Sequence, residues 1–148
     1  MIYIYFDGLV EPQNPRGIAT YGYVIYSDNL TVAEGYGLAA EPWSKNATNN
    51  VAEYTGLICA LKRAIDAGIK SAIIRGDSRL VISQLKGTYK LKSARLKPLY
   101  IKAKKLISEM EYAEIEWIPR EFNKRADELS RIAYREFLNG KLNYKQCF

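Results

Sequence analysis

Apolar residues form short continuous runs near the start of the chain and recur in steps of three and four further along. Residues 2–6 are an unbroken apolar, β-prone run, which is typical of a strand buried on both faces. After a turn at 12–17, residues 20–26 and 30–38 predict two more strands, with a hairpin turn at 27–29 between them. Three strands with short connections indicate an antiparallel meander.

The rest of the chain alternates helices with strands. A long helix is predicted from Thr48 or Asn49, because its apolar residues recur at helical spacing, and Gly68 ends it. A short strand at 71–75 and a short helix at 78–86 follow. These segments add one parallel strand to the sheet through a helical crossover.

A third helix, a last strand and a final helix complete the predicted order. Pro98 fits the first turn of the third helix, residues 114–118 predict the strand, and Asn123 is predicted to cap a final helix that Gly140 ends. The order β-β-β-α-β-α-α-β-α indicates an α/β fold. Its mixed five-stranded sheet has three antiparallel strands plus two parallel ones, and helices cover both faces.

The composition indicates one basic, intracellular domain. The 148 residues predict a single domain, with 138–148 as a C-terminal tail. Lys and Arg outnumber Asp and Glu by 22 to 16, and the net charge of +6 suits a polyanionic partner. No apolar segment approaches the roughly 20 residues that span a bilayer. No signal peptide precedes Asp7, so we expect a cytoplasmic protein without membrane contact.

The chain contains no histidine, which narrows its chemistry. Histidine general bases, histidine metal ligands and Ser-His triads are excluded. Cys59 and Cys147 are too few and too far apart for a cysteine-rich zinc site. They are either one buried and one exposed thiol or a disulfide that holds the tail. The bias towards Tyr, Ile and Lys slightly favours the disulfide, which intracellular proteins of hyperthermophiles tolerate.

Four carboxylates lie near predicted strand ends and helix starts: Asp7, Glu53, Asp77 and Asp127. An α/β sheet collects such points at one rim, where binding sites are usually built. Each acid also has a local explanation. Asp7-Gly8 could form a turn at a strand end, and Glu53 could complete a capping box. Asp77 could cap the next helix, and Asp127 could stabilise the positive end of the last helix dipole. Together, the acids predict a site that holds divalent metal against a phosphate.

The motifs around these acids resemble those of type 1 ribonuclease H, from Ile2 to about Phe137. They are Asp7-Gly8, Asn-Asn-x-x-Glu ending at Glu53, Asp77-Ser78, and Trp-Ile-Pro-Arg-Glu-x-Asn-x-x-Ala-Asp ending at Asp127. The resemblance implies a ribonuclease H-like fold, with the four acids as catalytic metal ligands. It also implies two divalent ions about 4 Å apart. Oxygen ligands favour Mg²⁺ or Mn²⁺ over zinc.

The resemblance implies an endonuclease that hydrolyses the RNA strand of RNA–DNA hybrids, leaving 5′-phosphate and 3′-hydroxyl ends. We expect a monomer with some activity on double-stranded RNA, because the A-like groove and the 2′-hydroxyls are shared. Two alternatives stay open: a DNA nuclease of the same superfold, and a catalytically silent nucleic-acid-binding module. The Asn-Asn-x-x-Glu motif favours the ribonuclease, and four intact carboxylates argue against the silent module.

The sequence departs from the family pattern in two places. Many relatives carry a mobile histidine in the loop before the last acid, where this chain has Arg120. We hypothesise that Arg120 approaches the scissile or the departing phosphate. The alternative is a surface arginine paired with Glu121 or Glu128. The basic helix-loop that grips the hybrid in larger relatives is missing, and a Lys- and Arg-rich stretch from Lys86 to Lys97 occupies its place.

Several residues are predicted to contact nucleic acid. In relatives, asparagines beside the helical glutamate sense the 2′-hydroxyl, a helix N-terminus can hold a DNA-strand phosphate, and basic residues contact phosphates in a salt-dependent way. The alternatives are helix capping for the asparagines and a solvated helix face for the lysines. The predicted contacts are Gly8, Asn14, Thr48, Asn49, Asn50, Gln84, Lys86, Lys90, Lys92 and Arg95.

Overall fold

Five strands form one mixed sheet and four helices pack against it in the computed structural model, which describes residues 1–148. The strands are β1 Ile2–Glu11, β2 Ile18–Ser27, β3 Leu30–Leu38, β4 Ser71–Gly76 and β5 Tyr112–Trp117. The helices are α1 Asn49–Asp66, α2 Arg79–Leu85, α3 Lys97–Ser108 and α4 Lys124–Leu138. The sheet order is β3-β2-β1-β4-β5, with β1–β4 and β4–β5 parallel and the other pairs antiparallel. The predicted fold class is confirmed.

β1 is longer than the apolar run that predicts it. It pairs with β2 from Ile2 to Glu11, and Asp7 lies opposite Gly22 in the middle of this ladder. The prediction that the strand ends at Asp7 is therefore wrong. The neighbouring strand satisfies the backbone of polar and apolar residues alike, so the ladder continues after the apolar run has stopped.

α1 and α4 lie on opposite faces of the sheet. Gly56 of α1 packs against the carbonyl of Asp7 and the side chain of Tyr21, whereas Ala126 of α4 lies over Gly22. α1 is the central helix of the core: it packs against β1 and β2 on one side and against α3 and α2 on the other. None of the four helices has the length and apolar content needed to cross a membrane.

A disulfide brings the end of the chain back to α1. It joins Cys59, in the middle of that helix, to Cys147, and the two Cα atoms are 5.8 Å apart. Tyr144, Gln146 and Phe148 line a cavity of about 670 Å³ with residues of α1 and of the start of α3. The C-terminal tail is therefore packed against the helical layer.

Candidate active site

Asp7, Glu53 and Asp77 converge where β1, α1 and β4 meet. One carboxylate oxygen from each lies within 4.8 Å of the other two. Asp7 and Glu53 are buried, with 4% and 3% of their surface exposed, whereas Asp77 is partly exposed. Asp77 is the residue that follows β4. The sheet and α1 thus hold three acids around one small space, with Asp77 on its solvent side.

Gly8 lets α1 approach β1 closely enough for Glu53 to reach Asp7. A Cβ atom at position 8 would lie 2.4 Å from the backbone nitrogen of Glu53 and 2.8 Å from Cβ of Ala52. The Gly8 amide also donates a hydrogen bond to Asp7 Oδ1 at 2.9 Å. α1 is capped by the Thr48 hydroxyl, and Glu53 Oε1 has no hydrogen-bond partner, so this oxygen completes no capping box. This buried oxygen is therefore free to bind a ligand.

Asn123 holds Asp77 in place. Its Nδ2 donates to Asp77 Oδ2 at 2.8 Å and to the carbonyl of Phe6 at 2.9 Å. Asn123 occupies the position before α4 but makes no side-chain cap there, so its predicted capping role is wrong. Its amide is engaged at the end of the sheet instead. Ser78, rather than Asp77, caps α2 through the amide of Val81.

Asp127 lies at the same rim but outside the group of three. It sits in the first turn of α4, and its Oδ2 accepts a hydrogen bond from Arg131 Nε at 3.2 Å. Its negative charge still contributes to the raised pKa of both Asp7 and Asp77. Three of the four predicted acids therefore lie within 4.8 Å of one another, and the fourth is close enough to interact with them electrostatically.

The three central carboxyls resist ionisation. Burial, together with the charge of Asp77, raises the pKa of Asp7 to about 8. Burial and the charge of Asp7 raise the pKa of Glu53 well above its usual value. Burial also raises the pKa of Asp77, although the Asn123 amide and the Arg120 charge oppose the shift. Without a cation, the cluster therefore retains a proton at neutral pH, and a divalent cation would reverse this preference.

Arg120 lies in a single 3-10 turn, Arg120–Phe122, between β5 and α4. Its side chain is exposed and forms no salt bridge, and its charge lowers the pKa of Asp77. Glu128 pairs with Arg125 instead. The surface ion pair proposed as an alternative for Arg120 is therefore absent, and the guanidinium is available to an anion beside Asp77.

A cleft of about 520 Å³ collects most of the predicted nucleic-acid contacts. Asn50, which lines it, lies one helical turn before Glu53, so the cleft adjoins the acids. Gly8 and Lys86 do not line it: Gly8 lies beneath α1, and Lys86 is exposed at the end of α2. The predicted residues that line the cleft are Asn14, Thr48, Asn49, Asn50, Gln84, Lys90, Lys92 and Arg95.

Comparison with known proteins finds related sequences. The family described as reverse transcriptase-like matches residues 6–133. The bifunctional protein Rv2228c of Mycobacterium tuberculosis is 40% identical over 121 residues, which are 81% of this chain and 32% of that protein. Ribonuclease HI of Halobacterium salinarum is 38% identical over 133 residues, which are 89% of this chain and 63% of that protein. The chain thus spans less than two thirds of either relative.

Solved structures agree in fold and in sequence. RNase H1 from Halobacterium salinarum superimposes with a TM-score of 0.81 at 35% identity, covering 91% of this chain and 98% of that one. LC11-RNase H1, isolated from compost and solved in complex with an RNA/DNA hybrid, has a TM-score of 0.82 at 35% identity, covering 93% of this chain and 99% of that one. The chain therefore belongs to the type 1 ribonuclease H family.

Proposed function

We propose that this chain is an endonuclease that hydrolyses the RNA strand of RNA–DNA hybrids. The observation that carries the proposal is the acid cluster of Asp7, Glu53 and Asp77, one helical turn from an amide-lined, basic cleft. A cluster of acids by itself could be any of several kinds of metal site, and a basic cleft by itself could bind any of several polyanions. Their adjacency is what favours a nuclease. The hybrid-bound structure of LC11-RNase H1 supports the hybrid as the substrate class.

The cluster fits divalent cations. Its donors are all oxygen atoms, and the buried Oε1 of Glu53 lacks a partner. We propose that Asp7, Glu53 and Asp77 hold the ions, that Asp127 completes the set, and that two Mg²⁺ or Mn²⁺ ions bind. When bound, such ions supply an activated water and stabilise the leaving oxygen, which gives 5′-phosphate and 3′-hydroxyl ends.

Neighbouring residues orient the acids and place a positive charge beside them. The Gly8 amide orients Asp7, and Asn123 holds one oxygen of Asp77, which leaves the other free for the cluster. Arg120 brings a positive charge beside Asp77 without an acidic partner of its own. We propose that Arg120 binds the scissile phosphate or the departing 5′-phosphate, which would stabilise the charge that develops there.

The cleft recognises the hybrid by its groove and its backbone. The amides of Asn14, Asn49 and Asn50 can donate to 2′-hydroxyls and to other acceptors of the minor groove. Thr48 and the N-terminus of α1 can hold a phosphate of the DNA strand. Lys90, Lys92 and Arg95 line the same cleft, where their charges can neutralise backbone phosphates and supply affinity. Double-stranded RNA shares most of these features, and we propose it as a weaker substrate of the same single domain.

The test uses labelled RNA–DNA hybrid, double-stranded DNA and double-stranded RNA, each with Mg²⁺, Mn²⁺ or EDTA. Asp7→Asn is the active-site variant, and Asp28→Asn is its matched control, because Asp28 is exposed and pairs only with the chain N-terminus. We expect metal-dependent cutting of the hybrid's RNA strand that Asp7→Asn abolishes and Asp28→Asn retains. Cutting of DNA alone, or binding without cutting under both metals, would overturn the proposal.

A further inference from the structure

A buried tyrosine on α1 is bonded to a side chain of the substrate cleft. Tyr54, the residue after Glu53, is 0% exposed, and its hydroxyl lies 2.6 Å from Oε1 of Gln84 on α2. Gln84 is only 4% exposed, yet it lines the cleft beside Asn14 and Asn50. Neither side chain belongs to the acid cluster.

The contact sets the direction of the Gln84 amide. The Tyr54 hydroxyl is the hydrogen-bond donor in this contact, and the amide oxygen of Gln84 is the acceptor. With Oε1 engaged, the other end of the amide carries only N–H donors. Gln84 Nε2 makes no hydrogen bond within the chain and is not sealed from solvent. The donor end of this side chain therefore faces the cleft.

We propose that Tyr54 is a positioning residue that fixes Gln84, so that its amide donates to an acceptor on the minor-groove edge of the hybrid. This inference rests on the proposed function and extends it. The acceptor is an RNA 2′-oxygen or the O2 or N3 atom of a base. An amide without the tyrosine contact can turn over and present its oxygen to the same acceptor, which repels it.

The first test removes one oxygen atom. Tyr54→Phe should raise KM for the hybrid about three- to tenfold, the usual value of one neutral hydrogen bond, and leave kcat unchanged. Tyr36→Phe is the control, because its hydroxyl donates to Glu136 at 2.7 Å, away from the cleft. A fall in kcat, with KM unchanged, would instead place Tyr54 in support of Glu53 and overturn the inference. The melting temperature of each variant shows whether folding has changed.

Double variants test whether Tyr54 acts through Gln84. Gln84→Ala should raise KM by a similar factor, and adding Tyr54→Phe should then change nothing further. Gln84→Glu keeps an oxygen for the tyrosine but replaces the donor with an acceptor, so it should raise KM more than Gln84→Ala does. Additive single effects, or wild-type KM in Gln84→Glu, would contradict the inference.

Modified hybrids identify the acceptor. One series replaces single ribonucleotides by deoxyribonucleotides, and a second removes N3 of single purines or O2 of single pyrimidines. Wild type should lose affinity at one position in one of the series, and Tyr54→Phe should lose none there. Equal losses in both proteins would refute the role of Tyr54. Because dissociation constants are measured, the comparison still decides this point if wild type binds the hybrid without cutting it, an outcome that would overturn only the proposed function.

Discussion

Asp77 keeps its orientation through one amide group. Asn123 uses both of its Nδ2 hydrogens, one on Asp77 and one on the Phe6 carbonyl. We expect Asn123→Ala to lower kcat about 10- to 100-fold, as the loss of a partner that orients a ligand commonly does, with a smaller change in KM. Steady-state kinetics on the hybrid measure both constants. Asn139→Ala, at the exposed end of α4, is the control, and equal kcat in the two variants would contradict the expectation.

The raised pKa of Asp7 predicts an unusual pH dependence for the metal-free protein. Its carboxyl titrates near 8 when folded, against 3.8 ordinarily, so the native state binds more protons between these values. The free energy of unfolding should therefore fall as pH rises from about 4 to about 8. Unfolding in urea with EDTA at several pH values measures this slope.

Two controls isolate the contribution of Asp7. Asp7→Asn should flatten the slope, whereas Asp28→Asn should keep it, because the Asp28 side chain is exposed and does not belong to the cluster. Saturating Mg²⁺ should stabilise the protein most at the alkaline end, since bound cations favour the ionised carboxylates. A free energy of unfolding that rises over this pH window in EDTA would contradict the expectation.

At residue level, the sequence predicted the three acids that converge and most of the residues that line the cleft, but not their hydrogen-bond partners. Residue type and motif were enough to select Glu53 and Asp77, because few side chains suit metal chemistry. The bond from Asn123 to Phe6 links positions 117 residues apart, and no local pattern encodes it. The contact between Tyr54 and Gln84 is hidden in the same way, because apolar spacing explains the buried tyrosine equally well.

Among the elements, the approach of α1 to β1 depends on the missing side chain at Gly8. A methyl group there would meet the backbone of Glu53, which cannot rotate away. We expect Gly8→Ala to destabilise the protein by about 1–3 kcal/mol through overpacking and to lower kcat, because Glu53 moves with the helix. Thermal unfolding and hybrid cleavage measure the two effects. Gly140→Asn is the control, because a Cβ atom at position 140 would meet no other atom within 4 Å and asparagine tolerates the φ of +71° there. This variant should lose little stability and little activity.

The segment between α2 and α3 carries the basic residues of the cleft. Replacing Lys90, Lys92 or Arg95 by Gln should weaken hybrid binding and reduce the salt slope of log K by about 1 for each phosphate that is no longer neutralised. Lys105→Gln is the control, because Lys105 is exposed on α3 and does not line the cleft. Binding titrations at several salt concentrations measure the slope. An equal effect at Lys105 would indicate a general effect of net charge.

The type and order of all nine elements were predictable, but their limits were less so. Apolar periodicity marks the buried face of an element, whereas an element ends where its hydrogen bonds end. β1 therefore extends to Glu11, and β5 begins at Tyr112 rather than at Glu114. The extension of β1 matters for function, because it places Asp7 inside a rigid ladder and not on a loop.

For the whole molecule, the disulfide should be a major source of stability. It spans 88 residues, and the chain-entropy estimate for a loop of that length is about 4–5 kcal/mol. Cys147→Ser should therefore lower the melting temperature by several degrees or more. A reductant should lower the melting temperature of wild type to that of the variant. Cleavage at moderate temperature should persist, because neither cysteine belongs to the acid cluster or lines the cleft. If the variant had the same melting temperature as oxidised wild type, this stabilising role would be refuted.

The same bond closes residues 59–147 into a covalent ring. Asp77, Asp127, Asn123 and the exposed segment around Tyr89 all lie on this ring. A protease that cuts once near Tyr89 would therefore open the ring without releasing a fragment. The nicked protein should run as one band on a denaturing gel and separate into two only after reduction. Until then, Asp77 and Asp127 would remain parts of one molecule, although the backbone between them is broken.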